Sequence, residues 1–111
     1  MNRNFSQSIT VRISDPQKAA TLVALIDEWD RDQATADIMG YMGGRILQDR
    51  GDPDVYVIVA DFGIVDPDVS AYEEAMRNND RPKTQEWHRR LLELVDVEPT
   101  YREFDELYRT G

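Results

Sequence analysis

The chemistry this sequence can offer is concentrated in one imidazole and a set of aromatic rings. His88 is the only histidine, within Gln85-Glu86-Trp87-His88. An imidazole changes charge near neutral pH, so it can act as a general base or bind a metal. It precedes Leu91 and Leu92, beside the apolar stripe of a helical segment, where a half-exposed histidine with a local hydrogen bond is an equally ordinary occupant. Trp29, Tyr41, Tyr56, Phe62, Tyr72 and Trp87 could wall a pocket for a flat aromatic ligand. Core or dimer packing is the alternative use of each. Arg45 falls in an otherwise apolar run. If buried there, it needs an acidic partner or an anionic ligand. Arg77, Arg81, Lys83, Arg89 and Arg90 cluster in an acidic chain. Such a cluster can guide an anionic substrate, or form a solvated helix face balanced by Asp80 and Glu86. Gly43-Gly44 has no helix start after it, which rules out a phosphate-binding loop.

Composition removes several function classes. The chain has 111 residues, with 13 Lys and Arg against 22 Asp and Glu, a net charge of −9. That charge repels nucleic acid and anionic membranes, so neither is an expected partner. Cysteine is absent, which excludes disulfides, thiolate metal sites and a cysteine nucleophile. A single histidine cannot build a multi-histidine zinc site, although a carboxylate site for a hard cation stays open. No apolar run approaches the ~20 residues of a membrane span. Met1 to Ser8 is polar, without a signal-peptide core. A cytoplasmic protein is expected. No pair of carboxylates stands out for acid–base work.

The elements that must position these residues can be read from periodicity. Ser8–Ile13 alternates, with Ile9, Val11 and Ile13 on one face of a strand. Asp15-Pro16 is an N-cap followed by a first-turn proline. Ala19, Leu22, Val23, Ile26 and Trp29 then give a helical stripe to about Arg31. Residues 38–49, from Ile38 and Met39 through Gly43-Gly44, read as a bent strand covered on both faces. Residues 54–62 form the clearest strand, apolar on both parities, paired with it in a hairpin. Asp66-Pro67 opens a second helix with a stripe of Val69, Tyr72 and Met76. A third follows Asp80 and Pro82 to about Val95, burying Trp87, Leu91, Leu94 and Val95. Residues 100–108 form a more polar strand nearer an edge.

The order β-α-β-β-α-α-β predicts a four-stranded antiparallel sheet with helices on one face, an α+β fold. One domain is expected over residues 8–108, after a flexible lead at 1–7 and before a tail at 109–111. The helices cover one face only. A second copy of the same sheet is the simplest cover for the other, so a homodimer is expected.

That order, with Gly40-Tyr41-Met42-Gly43-Gly44-Arg45-Ile46-Leu47, the strand Tyr56 to Phe62 and the run Tyr72-Glu73-Glu74-Ala75-Met76, resembles the antibiotic biosynthesis monooxygenase family. The resemblance spans about residues 8–108. It implies a dimeric α/β barrel of ferredoxin-like topology, with a pocket between sheet and helices. It also implies cofactor-independent oxidation of a phenolic or anthrone-like molecule to a quinone. His88 is the candidate base, and Tyr41, Arg45, Phe62, Tyr72 and Trp87 are candidate substrate-binding residues. A haem-degrading branch of the family pairs a strand-one Asn with a Trp after strand three and a helical His. Here His88 matches, Phe62 stands near the Trp position, and Thr10, Val11 and Arg12 occupy strand one. A non-catalytic ligand-binding or dimerisation module is the other reading.

Overall fold

A computed structural model describes residues 2–35 and 40–111, so Ile38 and Met39 of the expected second strand lie outside the described residues. The elements are β1 (Phe5–Arg12), α1 (Pro16–Thr35), β2 (Tyr41–Gln48), β3 (Val55–Phe62), α2 (Ala71–Asn79), α3 (Pro82–Leu92) and β4 (Thr100–Asp105). They form a four-stranded sheet in the order β2-β3-β1-β4. Every neighbouring pair is antiparallel. With the helices on one face, this is the ferredoxin-like α+β fold that the sequence pattern predicts.

Register sorts the side chains. Phe5, Ile9 and Val11 stand opposite Phe62, Ile58 and Tyr56. These residues turn toward the helices and meet Leu22, Leu25, Ile26 and Leu91 in one core. Alternation sends Val55, Val57 and Val59 to the uncovered face, with Arg45 and Leu47 beside them on β2. Asp15 caps α1 as expected, its carboxylate accepting the Gln17 N–H at 2.9 Å.

Four expectations change. β1 begins at Phe5, so residues 5–7 belong to the sheet rather than to a flexible lead. The polar run Asn4-Phe5-Ser6-Gln7 hides this, yet Phe5 is only 2% exposed and packs edge-on against Tyr72. β2 is an edge strand whose Met42 and Leu47 stay open to solvent in the single chain, because no helix covers their face. Arg45 is exposed there and so needs no buried counter-charge. α2 starts at Ala71, capped by Ser70. Asp66-Pro67 instead forms a turn, in which the Asp66 carbonyl accepts the Val69 N–H at 3.0 Å. The α2 face that is buried is therefore Ala71, Glu74, Ala75 and Asn78, while Tyr72 lies largely outside. Two alanines let the helix lie close to the sheet.

Gly40 joins the edge of the sheet to the end of β3. Its φ is +81°, and a Cβ there would stand 2.2 Å from the Gly63 carbonyl oxygen. The same two residues share a hydrogen bond, Gly63 N–H to Gly40 carbonyl, at 2.6 Å. No described helix is long and apolar enough to cross a membrane.

Replacing a buried phenylalanine by alanine costs about 3–5 kcal/mol. Phe5→Ala should therefore lower the urea midpoint strongly, and an unchanged midpoint would show residues 5–7 to be a dispensable lead.

Candidate functional site

The site grows from the contact between α1 and α3. Trp87 on α3 is buried, and its indole N–H donates to the Leu25 carbonyl of α1 at 3.0 Å. That bond uses spare acceptor capacity of a helical carbonyl. Trp29, one turn further along α1, packs against it with ring centroids 5.7 Å apart and planes at 41°. Tyr41 meets the other side of Trp29 edge-on at 5.3 Å. Gly44 leaves room beneath the indole, where a Cβ would come within 3.4 Å of the benzo edge of Trp29.

Beside this indole pair a cavity of about 350 Å³ opens between sheet and helices. Its volume lies at the small end of the ~300–1,000 Å³ typical of small-molecule sites. Ile9, Ile58 and Ala60 form its floor on the sheet, and Trp29 and Trp87 form its apolar wall. His88 of α3 and Tyr101 of β4 stand at its rim, with Nε2 and the phenol oxygen 2.5 Å apart. Burial and the nearby Glu98 push the Tyr101 phenol above its ordinary range, so it stays protonated at neutral pH. Opposite lies an uncharged amide group. Gln7 and Asn79 donate to one another at 3.4 and 3.3 Å, and Gln85 donates to the Asn79 carbonyl at 2.7 Å. Such a lining suits a flat, mostly apolar molecule with a few hydrogen-bonding oxygens. Among the described residues no three His, Asp or Glu side chains gather as ligands for a cation.

The residues singled out in the sequence are dispersed. His88 and Trp87 line the cavity. Tyr41 sits behind Trp29 and donates its hydroxyl to Asp30 at 2.6 Å. Burial first, and Asp30 second, push its phenol well above the usual range. Phe62 is wholly buried in the core. Tyr72 covers Phe5 at the surface, and Arg45 is on the opposite face of the sheet. Tyr101, Gln7 and Asn79 line the cavity without having been anticipated. Their signal is topological: only the β1–β4 register, which sets Tyr101 opposite Ile9, turns Tyr101 toward the helices.

The basic cluster is neutralised. Arg81 and Lys83 each reach Asp32 at 3.2 Å. Arg77 pairs with Glu74 at 2.9 Å, Arg89 with Glu86 and Glu93 at 2.6 and 2.5 Å, and Arg90 with Glu28 at 2.8 Å. Helical spacing puts an acid within reach of Arg77 and Arg89, and α1 supplies the rest. Charge guidance of an anionic substrate has no free cation left in this cluster.

No protein-family model matches the chain, and no curated protein matches its sequence. Solved structures do resemble it. A "Putative antibiotic biosynthesis monooxygenase" from Nitrosomonas europaea superposes with a TM-score of 0.70 at 15% identity, over 100% of this chain and 97% of the other. One from Caulobacter crescentus gives 0.73 at 10% identity, over 96% and 92%. A conserved protein from Methanosarcina mazei gives 0.73 at 10% identity, over 94% and 93%. The chain has the fold of the antibiotic biosynthesis monooxygenase structures.

An arginine hydrogen bond holds Glu28 (by Arg90) and Glu86 (by Arg89) below the usual carboxylate range. A carboxylate depressed in the folded state contributes stability above its unfolded pKa of about 4 and loses it as pH falls through the folded value. Both pairs are exposed, so the contribution is small. Glu28→Gln should unfold slightly more easily than the parent at pH 7 and converge with it in strong acid. A gap that widens as pH falls would give the pair the wrong sign.

Proposed function

We propose that this chain is a cofactor-independent monooxygenase that oxidises an electron-rich phenolic molecule, a quinone precursor, in the cavity between sheet and helices. The indole-walled cavity with a histidine–tyrosine pair at its rim carries this reading. Removal of the hydroxyl proton makes the ring electron-rich enough to reduce oxygen. A phenol plus one dioxygen gives a quinone plus one water, so all the electrons come from the substrate. His88 supplies the base, Trp87 and Trp29 hold the ring plane, and Tyr41 braces Trp29 from behind. The similarity of fold to structures named as monooxygenases supports the reading.

Haem held through His88 does not fit these residues. The Nε2 atom of His88 is bonded to Tyr101, and Phe62 is sealed in the core where it can offer nothing to a ligand. A ligand-binding module without turnover is favoured by one observation, the uncharged amides Gln7, Asn79 and Gln85 across the cavity. Such groups recognise a ligand without activating it.

The uncovered sheet face points to a homodimer. Val55, Val57 and Val59 form an apolar strip, flanked on β2 by exposed Leu47. A second copy of this face would cover it.

With a panel of anthrones and hydroquinones, the protein should consume oxygen and form quinone. His88→Asn should slow that reaction about 100-fold or more, in the range of lost general-base catalysis. An unchanged rate would remove His88 from the mechanism. Sedimentation should give a dimer for the parent and a monomer for Val57→Lys, and a monomeric parent would sink the two-sheet packing.

A further inference from the structure

We propose that Tyr101, rather than His88, is the group that meets the substrate hydroxyl, and that it passes the proton on to His88. The inference rests on the phenol-binding reading above and refines it. A neutral imidazole has one ring nitrogen with a free lone pair and one carrying a proton. Nε2 of His88 lies 2.5 Å from the Tyr101 oxygen. A phenol is a stronger acid than a neutral imidazole N–H, so the hydroxyl donates and Nε2 accepts. His88 then has no acceptor left for a substrate, since Nδ1 carries the remaining proton. The Tyr101 oxygen retains lone pairs, and it lines the same cavity.

The step balances as a proton relay. The substrate O–H donates to the Tyr101 oxygen while the Tyr101 proton moves to Nε2. The products are a bound phenolate, an unchanged tyrosine and a His88 imidazolium. No electron moves in this step. Tyr101 does not become an anion, in keeping with the burial and Glu98 charge that hold its phenol protonated.

Charged and neutral groups surround the pair on each element packed against it. From the β4 side, Glu98 acts on Tyr101, and Arg102 and Glu103, of opposite charge, both line the cavity. On α3, Glu86 is bound to Arg89, and Arg90 is bound to Glu28 of α1. Gln7, Asn79 and Gln85 facing the cavity are neutral. The two rings are also held at 5.6 Å between centroids, so the relay is assembled before a ligand arrives.

The test uses 4-nitrophenol, whose anion absorbs visible light and which needs no oxygen chemistry. Binding is followed by quenching of tryptophan emission and ionisation by absorbance at fixed pH. The parent should bind the probe and raise its anion-to-neutral ratio above that in free solution. Tyr101→Phe and His88→Asn should each lower that ratio about tenfold, or about one pKa unit. The double variant should fall no further than either single one, because the two residues act as one unit. A ratio lowered by His88→Asn but untouched by Tyr101→Phe would overturn the relay, and so would additive losses or failure of the probe to bind. A parent that ionises the probe through both residues yet takes up no oxygen with electron-rich phenols upholds the relay and removes the oxygenase reading alone. Tyr101 is 49% exposed, so its loss should leave the fold intact.

Discussion

The hydrogen bond from the Trp87 indole to the Leu25 carbonyl sets the spacing on which the site depends. It ties α3 to α1 through a buried side chain. α3 consequently packs on α1 and α2 rather than directly on a strand. The space left between α3 and the β1–β4 side of the sheet is the cavity. The same two indoles therefore belong to the core and also wall the cavity.

A second constraint is the unequal treatment of the two sheet faces. The helix face receives Phe5, Ile9, Val11, Ile58, Ala60 and Phe62 from two central strands. The far face receives valines from β3 and polar residues from β1, where Ser6 donates to Asp61 at 2.5 Å. That face is apolar along β3 and polar beside it.

Much of this architecture was legible in the residues. Alternation in Val55–Phe62 and the three- and four-residue spacing of Leu22, Ile26 and Trp29 need no tertiary information. The Asp15 cap is likewise local. The start of the N-terminal strand is hidden because Ser6 and Gln7 look like a solvated lead. Only pairing with both neighbours makes them sheet. The start of the second helix is ambiguous in the sequence because Asp-Pro serves turns and helix starts alike. The site was the least legible part. His88 and Trp87 belong to one helix, whereas Tyr101 comes from the last strand and Gln7 from the first. Their meeting is decided by strand order, and no spacing along the chain encodes it.

The register slip between Tyr41 and Gly43 has a consequence for growth of the sheet. A slip of this kind bends an edge strand and breaks the even row of free backbone groups that a further strand would need. At the opposite edge, β4 offers Arg102, Glu103 and Asp105 along its exposed length. Charges so placed resist pairing with another chain's strand. Both rims of the sheet are thus closed to lateral addition, and the molecule is left able to associate face to face but not edge to edge. The open-ended edge-to-edge stacking that leads to fibres is discouraged by the shape of these borders.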